Sequence, residues 1–189
     1  MKIILGSSSK YRKELLETNG YEVEVMAPNI DEEAIRSDNY YELPLLLARA
    51  KANALLPKVS QSAILITADV VVVCDGNLYE KPKDAKETKA FLEVYSGGAP
   101  AEIAAALVVI NTANGKQAEG VDMTSVHFNV IPSKAIENFI QQGDPFTKAG
   151  GFGIQSPILQ PYIKEIKGTR ESIMGMPIHL LEKLIKEVQ

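Results

Sequence analysis

Apolar positions along the chain come in blocks whose spacing changes from one block to the next, and the spacing predicts alternating strands and helices. Lys2–Leu5 reads as a short strand, and Ser7, Ser8 and Ser9 then open a helix. Leu15 and Leu16 form that helix's apolar face, and Gly20 stops it after Asn19. Tyr21–Met26 alternates as a strand, and Pro28–Asn39 is acidic and irregular, hence loop. From Tyr41 to Lys58, Leu43, Leu47, Ala50 and Ala54 recur at spacings of three and four, which predicts a helix.

Ala63–Cys74 differs from every other block. Ile64, Leu65, Ile66 and Val70–Val73 show no apolar/polar alternation, the pattern of a strand covered on both faces. Asp75-Gly76 then signals a turn. A helix is predicted over Ala85–Tyr95, ended by Ser96-Gly97-Gly98. Ile103–Ile110 and Gln117–Val130 flank Asn114-Gly115 as a long hairpin. Pro132–Gln142 reads as a helix, Lys148–Gln155 as a glycine-rich turn, Pro161–Lys167 as a strand and Pro177–Val188 as the closing helix. Alternating elements followed by a hairpin predict an α/β fold around a mixed sheet.

Composition narrows the partners. The chain has 189 residues, 46% hydrophobic and 23% charged, enough for a sizeable core without metals or disulfides. Its formal net charge of −4, with no basic block, argues against a duplex DNA binder. Cys74 is the one cysteine, which excludes an intrachain disulfide and suits a reducing compartment. Met1–Leu5 is too short for a signal-peptide core, and the Ala63–Cys74 run is too short to span a bilayer. These features predict a cytoplasmic protein with neither membrane nor nucleic acid as partner.

Several residues could carry chemistry. The strand, Gly6-Ser7-Ser8-Ser9 and the helix after them place amides and hydroxyls at a positive helix end, which suits phosphate oxygens or simply caps the helix. Lys10 and Arg12 put cations in that first turn, where the macrodipole disfavours them unless an anion arrives. Asp69 places a carboxylate inside an apolar run, a costly arrangement unless it is paired or binds metal. It reads as an Mg²⁺ ligand or general base, or else as a surface turn between two short strands. Asp31-Glu32-Glu33 is either solvated loop or the source of a second carboxylate. Lys51 lies between Leu47 and Leu55 on an apolar helix side, where a lysine snorkels or serves a buried anion. Lys81 follows the valine strand and its turn, as a loop lysine or a cation beside the same chemistry. His127 and His179 make no metal spacing or triad, and neither a GxGxxG fingerprint nor a Walker A motif is present.

Taken in order, these segments resemble the Maf family of nucleotide pyrophosphatases. The likeness runs through Leu5-Gly6-Ser7-Ser8-Ser9-Lys10-Tyr11-Arg12, Asn29-Ile30-Asp31-Glu32, Ala48-Arg49-Ala50-Lys51-Ala52 and Ala68-Asp69-Val70-Val71-Val72. It continues through Lys81-Pro82, Tyr95-Ser96-Gly97, Lys148–Gln155 and Gly175-Met176-Pro177, and so covers nearly the whole chain. The resemblance implies one Maf-like domain over residues 1–189. Its fold would be two-lobed and inosine triphosphatase-like, with an elongated mixed sheet and a central cleft, in a homodimer. It implies hydrolysis of a nucleoside triphosphate to monophosphate and pyrophosphate with Mg²⁺ or Mn²⁺. By position, Ser7, Ser9, Arg12, Lys51 and Lys81 would hold phosphates, Glu32 and Asp69 would bind metal or activate water, and Gln155 would face the base or complete the pocket. The Lys148–Gln155 stretch is similar to the branch acting on dTTP and UTP rather than on methylated guanosine triphosphate.

The chain departs from the family pattern at Tyr11, where an arginine is usual, and at Val70, Pro100 and Ala104, where hydroxyl or imidazole side chains are usual. Two other readings follow from these departures and from the fold. One is a nucleotide-binding regulator of cell division without turnover, and the other an inosine triphosphatase-like enzyme acting on deaminated purines.

Overall fold

A computed structural model describes residues 2–143 and 145–189; Met1, the first residue of the short N-terminal run, lies outside them. Seven strands form one mixed sheet: β1 (Ile3–Gly6), β2 (Val23–Val25), β3 (Ile64–Cys74), β4 (Asn77–Tyr79), β5 (Ala101–Asn111), β6 (Gln117–Phe128) and β7 (Ile163–Lys167). The order is β2-β1-β3-β5-β6-β7, with β4 paired to β3. β1 runs parallel to both β2 and β3, whereas β3–β4 and β6–β7 are antiparallel. The helices are α1 (Lys10–Thr18), α2 (Leu43–Leu55), α3 (Ala85–Ser96), α4 (Ser133–Gln141), α5 (Arg170–Ile173) and α6 (Ile178–Val188).

The chain divides into two compact units, and β3, β5 and β6 each contribute a segment to both. The first unit holds the residues through Val70, Ala105–Asp122 and Met174–Gln189. Here the sheet is covered on both faces. On one face Ile3, Leu5, Ile64, Ile66, Leu107 and Val109 pack with Leu16 of α1 and with Leu181, Leu184 and Val188 of α6. On the other, Ile4, Leu65, Val108 and Ile110 pack with Ala48, Ala52 and Leu55 of α2. Double cover explains why β3 shows no alternation: both of its faces are interior, and ten of its eleven residues are buried. Burying each of those Ile, Leu and Val side chains is worth about 1.5–3 kcal/mol.

The second unit, Val71–Ala104 with Met123–Ile173, is built around aromatic rings. Tyr95 of α3 is fully buried and packs on Tyr79, Phe128 and Phe152, and its hydroxyl donates to the Gly150 carbonyl at 3.1 Å.

The predicted elements are present, with three physical refinements. The Tyr41–Lys58 helix is α-helical only over Leu43–Leu55; the turn containing Pro57 continues as a 3₁₀ segment. The Asp75-Gly76 turn, with both residues at positive φ, leads into β4, three residues too short to show a pattern. The four-residue α5 is likewise below the length at which periodicity can be read. Among the described residues, no helix is long and apolar enough to cross a membrane.

Cys74 ends β3 with its side chain fully buried, and burial pushes its thiol up to about 11. The protonated thiol is a poor nucleophile. At pH 8 the folded protein should therefore leave a disulfide reagent such as DTNB unreacted, and the urea-unfolded chain should release one equivalent of chromophore. Rapid stoichiometric reaction of the folded protein would contradict this placement.

Candidate functional site

In the first unit, three chain segments and one loop bring charged groups together from positions 12, 51, 69 and 32. The first is the β1–α1 junction. Ser9 is the N-cap of α1, its hydroxyl accepting from the Arg12 amide. The Ser7 hydroxyl accepts both from the Ser9 amide at 3.2 Å and from Arg12 Nη1 at 3.1 Å. Capping therefore falls to Ser9, and Ser7, which is buried, keeps its own O–H to donate.

The two first-turn cations part ways. Lys10 stays exposed, 3.7 Å from Glu14. Arg12 turns inward and is buried. Its Nε donates to the Gly175 carbonyl at 3.0 Å, and Nη1 donates also to the Ala68 carbonyl at 3.0 Å. Burial lowers the Arg12 guanidinium from its ordinary value, and the charges on Asp69 and then Glu32 oppose that; a guanidinium remains protonated in proteins. The Nη2 hydrogens make no hydrogen bond among the described residues, which leaves that edge for an anion. Gly175 is at φ 80°, and a Cβ there would lie 3.0 Å from Arg12 Nη2, so glycine is what lets the guanidinium seat against this backbone.

The second segment is β3, where Asp69 is at 9% exposure in continuous strand. The surface-turn reading of Asp69 is thereby corrected: no turn interrupts the run. Leu65, Thr67 and Asp69 share the α2 side, and the third segment, α2, supplies the cation. Lys51 Nζ lies 2.5 Å from Asp69 Oδ1 and 3.2 Å from Glu32 Oε1. The Lys51 and Asp69 side chains are 6% and 12% exposed, whereas Glu32 is 51% exposed. Both carboxylate oxygens touch one ammonium, so they are no farther apart than the sum of those two distances. Glu32 reaches this point from its loop because Asp31 folds the backbone: Asp31 Oδ1 accepts from the Glu33 and Ala34 amides.

Of the residues singled out in the sequence, Ser7, Arg12, Glu32, Lys51 and Asp69 all lie in the first unit. Ser9 is their cap. Lys81 and Gln155 belong to the second unit, where both are exposed in loops. Three contributors were missed, the Ala68 and Gly175 carbonyls that anchor Arg12 and the Thr67 hydroxyl, which donates to the Ala48 carbonyl at 2.7 Å. A backbone acceptor leaves no mark in sequence; the one legible sign was a threonine among aliphatic neighbours.

Among the described residues no group of three or more His, Cys, Asp or Glu is disposed to hold a metal ion. Two adjacent carboxylates are nevertheless a donor set that suits Mg²⁺ or Mn²⁺, since such ions are commonly held by one or two carboxylates and completed by substrate phosphates and water.

A family model described as Maf-like protein matches residues 2–188. The chain is 37% identical over 193 residues to a 7-methyl-GTP pyrophosphatase of Dictyostelium discoideum, covering 98% of this chain and 96% of that one. It is 34% identical over 186 residues to a dTTP/UTP pyrophosphatase of Vibrio vulnificus (strain YJ016), covering 98% of each. Among solved structures, a HAM1 protein from Coxiella burnetii matches with a TM-score of 0.51 at 13% identity, over 99% of both chains. The Staphylococcus aureus Ham1 protein matches with 0.50 at 13% identity, over 100% of both. These two structures share the fold.

The Lys51–Asp69 contact carries a stability consequence. Removing the cation leaves the largely buried Asp69 carboxylate without its ammonium, which costs about 3–5 kcal/mol when burial is complete and less here because Asp69 keeps 12% exposure and the charge of Arg12 nearby. In EDTA, Lys51→Met should lose about 2–3 kcal/mol in urea unfolding. The double variant Lys51→Met/Asp69→Asn should recover part of that loss. Additive losses would show that the two side chains do not interact.

Proposed function

Because the chain belongs to the Maf-like family, we propose that it hydrolyses a nucleoside triphosphate between the α and β phosphates, giving the monophosphate and pyrophosphate. The observation that carries this reading is the shared contact of Glu32 and Asp69 with the Lys51 ammonium, next to the buried Arg12 guanidinium. The names of the relatives support it: each of the two described above is a nucleotide pyrophosphatase.

The charges explain why a divalent ion belongs in the proposal. Two acids and two bases leave the cluster close to neutral, so a triphosphate brings more negative charge than these side chains offset. Asp69 and Glu32 would hold Mg²⁺ or Mn²⁺, which when bound supplies neutralisation of phosphate oxygens and a more acidic water. The side chains do the remainder. Ser7 donates its hydroxyl to a phosphate oxygen. Arg12 offers Nη2, and Lys51 donates to oxygens that become more negative as the α–β bridge breaks. Whichever of Asp69 and Glu32 faces the attacking water orients it and accepts its proton. Lys81 and Gln155 enter the proposal on their place in the family motifs alone, as a phosphate cation and a base contact.

For the base we propose a pyrimidine, dTTP or UTP, supported by the Lys148–Gln155 stretch and by the name of the Vibrio relative. The Dictyostelium relative, named for 7-methyl-GTP, makes that nucleotide the competing substrate. A cytoplasmic homodimer completes the proposal.

Pyrophosphate release should be measured with dTTP, UTP, CTP, 7-methyl-GTP and ITP, with Mg²⁺ or Mn²⁺ and with EDTA. The expected outcome is turnover of UTP or dTTP that EDTA abolishes. In Asp69→Asn that turnover should fall by at least about a hundredfold, with an unchanged far-UV spectrum. Near-normal release by Asp69→Asn, or no release from any of the five nucleotides, would refute the reading.

A further inference from the structure

Thr67 stands where a wholly apolar strand would carry valine. It is fully buried in β3, on the side that carries Leu65 and Asp69 toward α2. Its Oγ1 donates to the Ala48 carbonyl at 2.7 Å. Ala48 lies one helical turn before Lys51 on α2, and Asp69 lies two residues beyond Thr67 on the same strand face. One hydrogen bond therefore ties strand to helix a single step from each partner of the Lys51–Asp69 pair.

The conformation of Thr67 is fixed by its neighbour in the sheet. Gly6 of β1 pairs with Thr67 in the parallel register. A Cβ on Gly6 would lie 2.6 Å from Thr67 Cγ2 and 2.6 Å from Leu55 Cδ1. The threonine methyl thus uses the space that the missing side chain leaves, and the stiff β-branched side chain turns its hydroxyl to the helix. We propose that Thr67, seated on Gly6, is a positioning residue that sets the register of Lys51 against Asp69. The proposal rests on the pyrophosphatase reading above. A contact as short as 2.5 Å leaves little slack, and a shift of about 1 Å in reacting geometry can cost a hundredfold in rate.

Two substitutions separate positioning from plain packing. Thr67→Val keeps the shape and removes the hydroxyl; Thr67→Ser keeps the hydroxyl and removes the methyl. In Thr67→Val, kcat for pyrophosphate release should fall about tenfold, with KM within about twofold and Tm near the parent value. In Thr67→Ser, kcat should stay near the parent value while Tm drops. Loss of rate that follows loss of Tm through both variants, or unchanged kcat in Thr67→Val, would overturn the proposal. If Thr67→Val does not fold, Thr67→Ala takes its place: kcat lowered there and kept in Thr67→Ser upholds the role, and equal kcat in the two overturns it. The two failures are distinguishable: an inactive parent protein refutes the pyrophosphatase reading, and an active parent with an unaffected valine variant refutes only the role of Thr67.

Discussion

A carboxylate at the centre of a strand covered on both faces is costly unless a partner meets it, and in the first unit that partner is a cation. Asp69 is surrounded by apolar β3, and Lys51 answers it from α2. The ammonium then has capacity for a second acid, which Glu32 supplies from an exposed loop. Arg12 lies behind this pair, held by two backbone carbonyls and the Ser7 hydroxyl. Desolvating such groups is expensive unless each finds a partner. A protein that needed only stability would gain as much from aliphatic side chains here, so the retained charges point to chemistry.

The arrangement suits a polyanionic substrate because its groups are fixed by backbone rather than by one another alone. Arg12 is clamped at Ala68 and Gly175, so its remaining edge faces a set direction before any phosphate arrives. Fixed donors of this kind lower a barrier without reorganising during the reaction. Lys51 is pinned differently, by two acids of unequal exposure, and the more exposed Glu32 is the easier contact to exchange.

Much of this was legible in the residues, for reasons that differ from place to place. The valine-rich strand announced its double cover by lacking alternation, and Asp69 drew notice because a charge in that run is costly. Lys51 stood out by its spacing between leucines. Glu32 was less legible, since three adjacent acids look alike until the Asp31 side chain folds the loop. Arg12 is legible as a cation at a helix start, whereas the backbone carbonyls to which it turns inward are not, because no side-chain pattern encodes them. Short elements such as β4 and α5 left no trace because three or four residues cannot display a period.

The most direct test of the charge constellation is Mn²⁺ binding without turnover. Free Mn²⁺ can be followed by electron paramagnetic resonance in the presence of UTP carrying a methylene bridge between its α and β phosphorus atoms. If Glu32 and Asp69 serve one ion together with the phosphates, the parent protein should bind Mn²⁺ when the analogue is present, and Glu32→Gln and Asp69→Asn should each lose that binding. Parental Mn²⁺ affinity in both variants would contradict the account.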